Sequence, residues 1–155
     1  MALTRGIRRS TFLVTVLVTA GVFGSAPAAA DLGDYLWERR PLLLFAPTNQ
    51  DPRLTETVSR IEATRCKFDD RQMVLGVVVA AGPSTLDGQA ITAEEAQRLA
   101  DRYAVDPNAF AAVLIGKDGG EKYRVDQVPE LGLVYTVIDG MPMRSRETGA
   151  ESGGC

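Results

Sequence analysis

The sequence predicts an α/β domain: a mixed, four-stranded sheet flanked by helices. Three observations carry this expectation. Short apolar runs alternate with amphipathic stripes along most of the chain. A helical stretch separates the first two apolar runs, so they should lie parallel in the sheet. An Asp-Gly turn separates the last two, so they should lie antiparallel.

Residues 1–30 stand apart from the fold. Arg5, Arg8 and Arg9 make a basic start, Thr11 to Gly24 is apolar, and Ala28-Ala29-Ala30 offers small residues before Asp31. That is the pattern of a cleaved secretory signal. The apolar run is short for a bilayer span, which needs about 20 such residues. A periplasmic or secreted location is expected, with no membrane span after cleavage.

The elements follow in order. Asp31 to Arg40 reads as a short helix, with Leu32, Leu36 and Trp37 partly buried and Pro41 as its stop. Leu42-Leu43-Leu44-Phe45 is continuous in apolar character, as a strand covered on both faces would be. Asp51-Pro52 opens the next helix, with an N-cap carboxylate followed by proline at the first helical position. Leu54, Val58 and Ile61 form its apolar stripe, and it ends near Cys66-Lys67-Phe68. Met73 to Ala81 is a valine-rich second strand, and 81–89 reads as a loop. Thr92-Ala93-Glu94-Glu95 is a capping box for a helix buried through Ala96, Leu99, Ala100 and Tyr103. Phe110–Ile115 and Glu121–Val125 form the hairpin around Lys117-Asp118-Gly119-Gly120. Pro129 opens a last helix carrying Leu131, Val134, Tyr135 and Ile138, closed by Asp139-Gly140. The domain is expected to cover 31–144, and 145–155 to be a flexible tail.

Composition excludes several functions. The 155 residues include no histidine, which removes imidazole bases and most transition-metal sites. The two cysteines, Cys66 and Cys155, form neither a Cys-x-x-Cys pair nor a four-thiolate zinc site. Residues 31–155 keep 14 basic and 20 acidic side chains, a net charge of −6 that disfavours nucleic acid.

The order of elements matches a thioredoxin-like domain. In that fold the redox cysteines sit where the first strand meets the next helix, because the helix N-terminus stabilises a thiolate. Here that junction is Phe45-Ala46-Pro47-Thr48-Asn49-Gln50-Asp51-Pro52, without sulfur. Each remaining candidate has two readings. Thr48 and Asn49 could offer helix-terminal amides to an anion or a partner's carboxylate, or merely shape a capped turn. Lys117 and Asp118 could form an anion or substrate site, or satisfy turn geometry. Asp70 and Arg71, after Asp69, could place carboxylates for chemistry, or form ion pairs with Arg39 or Arg40. Met141 and Met143 could bind copper(I), or pack beside Pro142. Cys66 could be a thiol nucleophile resolved by Cys155, or a small half-buried side chain. Whether Asp106-Pro107 is cis is open. One site requires Thr48, Asp70 and Lys117 to meet in one cleft.

Four segments together resemble the DUF4174 family, a domain of unknown function. They are Trp37-Glu38-Arg39-Arg40-Pro41-Leu42-Leu43-Leu44-Phe45, Phe68-Asp69-Asp70-Arg71, Leu114-Ile115-Gly116-Lys117-Asp118-Gly119-Gly120-Glu121-Lys122 and Ile138-Asp139-Gly140-Met141-Pro142-Met143-Arg144. The resemblance implies a thioredoxin-like fold nearest to peroxiredoxins, found in bacterial exported proteins and in animal matrix proteins with sushi repeats. It implies no activity. The peroxiredoxin pattern Pro-x-x-x-Thr/Ser-x-x-Cys fails here: counted from Pro47, its hydroxyl position holds Asp51 and its cysteine position Leu54. The expectation is therefore an exported binding module for a protein or small ligand, with no cofactor and no metal. Thr48, Asn49, Asp70, Arg71, Lys117 and Asp118 are its candidate contacts. A thiol oxidoreductase or peroxiredoxin-like enzyme using Cys66 is the alternative.

Overall fold

The computed structural model describes residues 31–150, with side chains through residue 148; the expected signal segment and Cys155 lie outside these. A mixed sheet is built from β1 (Arg40–Thr48), β2 (Met73–Ala81), β3 (Thr85–Leu86), β4 (Gln89–Ala90), β5 (Ala111–Ile115) and β6 (Glu121–Val125). Its strand order is β4-β3-β2-β1-β5-β6. Around it lie α1 (Pro52–Ala63), α2 (Arg65–Asp70), α3 (Ala93–Arg102), α4 (Leu131–Asp139) and α5 (Pro142–Ala150).

β1 is the central strand. It pairs in parallel with β2, Leu43 opposite Gly76, and antiparallel with β5, Leu43 opposite Val113. Its side chains alternate between two apolar layers, as the two-residue strand period demands. Leu42, Leu44 and Ala46 pack with Leu54, Ile61, Phe68, Val134 and Ile138 beneath α1, α2 and α4. Leu43 and Phe45 pack with Leu86, Leu99 and Tyr103 beneath α3. Coverage of both faces explains the unbroken apolar run.

Two helix starts carry the N-caps expected of them, whereas α4 begins at Leu131, two residues after Pro129, behind Glu130 without a side-chain cap. The Asp51 carboxylate accepts from the Arg53 N–H at the start of α1, and the Thr92 hydroxyl accepts from the Glu95 N–H at the start of α3. Gly140 follows the last residue of α4. At the β5–β6 turn, Gly119 takes φ of 78°, a left-handed conformation that glycine adopts without steric cost.

Several expectations are revised. The sheet has six strands rather than four, because 81–89 is not a plain loop. Asp87 and Gly88 both take positive φ, 52° and 76°, and turn a two-residue hairpin between β3 and β4. The first helix is only a 3-10 turn, Leu32–Tyr35, closed by a capping box between Asp31 and Asp34. Trp37 lies beyond it at φ of 67° and is 61% exposed rather than partly buried. Pro41 stands inside β1, next to its first residue and ahead of the β5 pairing, where a missing N–H is tolerated. The helix expected to end near Cys66 breaks at Thr64, so Cys66 sits in the first turn of α2. Residues 145–150, expected to be mobile, are helical in α5.

Gly76 is the tightest point of the β1–β2 contact. A Cβ there would overlap the Leu43 side chain and crowd Leu86. Gly76→Val should therefore cost about 1–3 kcal/mol. The expected reading is a lower urea midpoint at unchanged slope. An unchanged midpoint would mean that Leu43 repacks freely.

Candidate functional site

The expected contact residues separate to opposite ends of the sheet. Thr48 and Asn49 lie at the C-terminal end of β1. Asp70 and Arg71 precede β2, and Lys117 and Asp118 follow β5, all beside the N-terminal end of β1. The eight steps of β1 between Arg40 and Thr48 span roughly 26 Å at about 3.3 Å per residue. One cleft holding all six does not form.

At the N-terminal end, Arg40 continues the even register of β1 past Leu42 and is fully buried. Its guanidinium grips the Glu147 carboxylate of α5 with two parallel hydrogen bonds, 2.9 and 3.0 Å long. The same carboxylate accepts from the Lys117 ammonium at 2.7 Å. Lys117, itself 8% exposed, also donates to the Gln72 side chain. Arg144, one turn before Glu147, donates to the Asp70 carbonyl at 2.6 Å and pairs with the Asp70 carboxylate. Arg71 reaches Asp139 at 2.7 Å and stacks 4.9 Å above the Tyr135 ring.

Four cations, Arg40, Arg71, Lys117 and Arg144, thus face three carboxylates, Asp70, Asp139 and Glu147. Each of the four segments carrying the family resemblance supplies at least one of these charges. Burial alone would raise the Glu147 carboxyl, but the hydrogen bonds from Arg40 and Lys117 outweigh it and hold the group below the ordinary carboxylate range. The arrangement is an internal clasp between α5 and the foot of the sheet. Asp118 stays outside it: its carboxylate accepts from Gly120 N–H at 3.0 Å and pairs with Lys122 at 2.7 Å, which is turn chemistry.

At the other end, Asp51 answers the N-terminus of α1. Its carboxylate accepts from Arg53 N–H at 2.9 Å and from the Arg53 side chain at 2.6 and 3.0 Å. The Arg53 guanidinium holds the Asp51 carboxyl below its usual range. The chain's own carboxylate thus takes the place where an anion was expected. Asn49 does something else. Its amide donates to the Pro83 carbonyl at 3.1 Å and ties the β1–α1 junction to the β2–β3 loop. Gly82, at φ of 128°, leaves room for that side chain.

The loop so tied forms one wall of a cavity of about 410 Å³, between α3, the ends of β1 and β2, and the segment before β5. Phe45, Val78, Ile91, Ala96 and Val105 give it an apolar lining, with Ser84 and Asp106 among the few polar members. The volume lies in the range of small-molecule sites. The place, outside the carboxyl ends of the strands, is where open α/β sheets bind ligands. No motif marked this cavity in the sequence. Its signal was diffuse: alanines at 93, 96, 100 and 109, where larger side chains would fill the space.

The remaining candidates stay apart from the cavity. Cys66 lies beyond the far end of α1, and no described cysteine is a free thiol. Met141 is half-buried against the α1–α4 core, and Met143 is exposed at 37%. Among the described residues no cluster of three or more cysteine or carboxylate ligands assembles, no peptide bond is cis, and no helix is long and apolar enough to cross a membrane.

Fold and junction together define a thioredoxin-like domain whose redox position is without sulfur. A family model described as "Domain of unknown function (DUF4174)" matches residues 31–147, and the chain belongs to that family. Among curated proteins, it is 21% identical over 132 residues to "Coiled-coil domain-containing protein 80" of Danio rerio, a match over 75% of this chain and 15% of that protein. The chain thus spans only a small part of that relative. Among solved structures it resembles the reduced 2-Cys peroxiredoxin of Plasmodium vivax, with a TM-score of 0.55 at 16% identity over 74% of this chain and 84% of that one. It also resembles the mitochondrial 2-Cys peroxiredoxin of Plasmodium falciparum, at 0.53 and 15% over 81% and 86%. Identities this low speak for the fold alone. Leu54, where the peroxiredoxin pattern counted from Pro47 would put its cysteine, is 4% exposed in the first turn of α1.

The clasp gives a pH-dependent prediction. The Glu147 carboxyl is lower in the folded chain than unfolded, where it is about 4.3. Its contribution is therefore complete above the unfolded value and fades as pH falls through the folded one. Breaking a buried pair on one side costs about 3–5 kcal/mol. Glu147→Gln should destabilise by an amount near the lower end at neutral pH, and the gap to the parent should narrow toward pH 3. A constant gap across denaturant melts from pH 7 to 3 would remove Glu147 from the role.

Proposed function

We propose that this chain is an exported, non-redox binding module that takes a small, largely apolar ligand at the C-terminal end of its central strands. The observation that carries the reading is the pairing of two features at one end of the sheet. The junction that serves thiol chemistry in related folds holds Asp51 and Leu54, and a cavity of about 410 Å³ opens beside it. Without a nucleophile there, electron transfer has no starting atom. With apolar side chains beside a nearly equal share of polar surface, the same place suits reversible binding of a small molecule.

Export rests on the signal-like residues 1–30, and a periplasmic or secreted site of action follows from it. The candidate contacts are reassigned accordingly. Asn49 shapes the cavity wall, and Thr48 shapes the junction by accepting from Gln50 N–H at 3.3 Å. Asp70, Arg71 and Lys117 hold the fold. The test joins location to activity. The protein from cell fractions should begin at Asp31, should neither reduce disulfides nor consume peroxide, and should gain thermal stability with small apolar compounds. Peroxide or disulfide turnover abolished by Cys66→Ser would overturn the reading.

A further inference from the structure

We propose that the cavity selects organic amines: an apolar body inside, with a protonated nitrogen against the Asp106 carboxylate at the rim. This rests on the binding reading above and adds the chemical class.

Among the described residues, Asp106 is the one charged residue in the lining, and no lysine or arginine belongs to it. Other polar liners are already engaged. Ser84 Oγ accepts from Val79 N–H at 2.9 Å, Thr92 Oγ1 accepts from Glu95 N–H at 3.1 Å, and the Gln97 amide donates to Asp101 at 2.9 Å. The Asp106 carboxylate accepts at Oδ1 from Asn108 N–H at 2.8 Å, which orients the group. Among the described residues it forms no ion pair, unlike Asp70, Asp139 and Glu147 in the clasp. The α3 N-terminus, which would draw an anion, is answered internally by Thr92 and by Glu94. The Glu94 carboxyl is held below its usual range by a hydrogen bond to its own backbone N–H and one from Thr92. What remains for a bound molecule is a partly apolar space with one negative charge at its rim. A donor cation complements that; a carboxylate in the same place would be repelled.

The experiment uses the chain from Asp31 to Cys155 and three probes of matched body: 2-phenylethylamine, 2-phenylethanol and 3-phenylpropanoate, titrated by calorimetry at low ionic strength. The amine should bind roughly fivefold or more tightly than the alcohol, as an exposed charge pair of about 1 kcal/mol gives, and the carboxylate weakest. Added salt should shrink the preference. Asp106→Asn, which keeps the acceptor for Asn108, should bring amine and alcohol to equal affinity without moving the alcohol. Ala96→Phe should abolish all three by filling the space. Equal binding of amine and alcohol by the parent would overturn the amine class and leave the cavity as a binding site. Binding of none would overturn both readings.

Discussion

The fork between Arg40 and Glu147 is the contact on which the rest of the architecture depends. Arg40 begins the central strand on the layer covered by α1, α2 and α4, where a charge can remain only if it is paired. Its partner comes from α5, 107 positions later in the chain. Around this pair Lys117 ties in the β5–β6 turn, and Arg144 and Arg71 tie in the residues before β2 and the end of α4. Such a network is weak evidence for stability as such, because desolvation offsets much of the Coulombic gain. Its effect is on arrangement. A hydrophobic contact would tolerate α5 in several rotations, whereas a bidentate guanidinium accepts one. Cations exceed carboxylates by one in the clasp, and among the described residues the Nε–H groups of Arg40, Arg71 and Arg144 have no hydrogen-bond partner, so loss of any carboxylate leaves charge stranded.

The opposite end of the sheet shows what happens to a catalytic junction when its sulfur is absent. A helix N-terminus carries partial positive charge whether or not a thiolate is there to use it. Asp51 supplies the compensating charge, and Arg53, stacked 5.2 Å over Phe110, fixes the carboxylate in turn. The charge at this helix start is a carboxylate held by an arginine. The space beside the junction is walled by short side chains and by the loop that Asn49 holds. A place suited to chemistry is thereby suited to occupancy.

The legible part of this fold was the part written in local patterns. The stripes of α1 and α4, the Thr92 N-cap and the Asp118-Gly119 turn all report structure through neighbouring residues, and each is present in the structure; of the Thr92 capping box only the hydroxyl half forms. The clasp was not legible because its members are far apart in sequence and carry charges that usually face water. Nothing near Arg40 distinguishes it from the exposed Arg39, and Glu147 lies in a stretch as polar as any tail. The Asp87-Gly88 turn carried the same signal as Asp118-Gly119, but its strands, two residues each, are too short to show a period. Trp37 misled for the opposite reason. A large aromatic beside apolar residues suggests burial, yet its backbone turns left-handed and sends the ring outward.

The separation of the two ends has a physical consequence. A buried charge network is rigid in its demands, since each member is stranded if another moves. A binding cavity must admit a molecule, so its walls must give a little. Placed together, each would compromise the other: ligand entry would strain the ion pairs, and the pairs would stiffen the walls. Along β1, Leu42, Leu43 and Leu44, all fully buried, lie between Arg40 of the clasp and Phe45 of the cavity lining. Coupling between them would require a packed element with two discrete arrangements. Substitutions in the clasp should then act through folding, and substitutions around Asp106 through recognition. That division assigns the motif segments of the family to the scaffold. It leaves ligand choice to residues outside those segments. Phe45 is the exception, since it ends one of those segments and also lines the cavity.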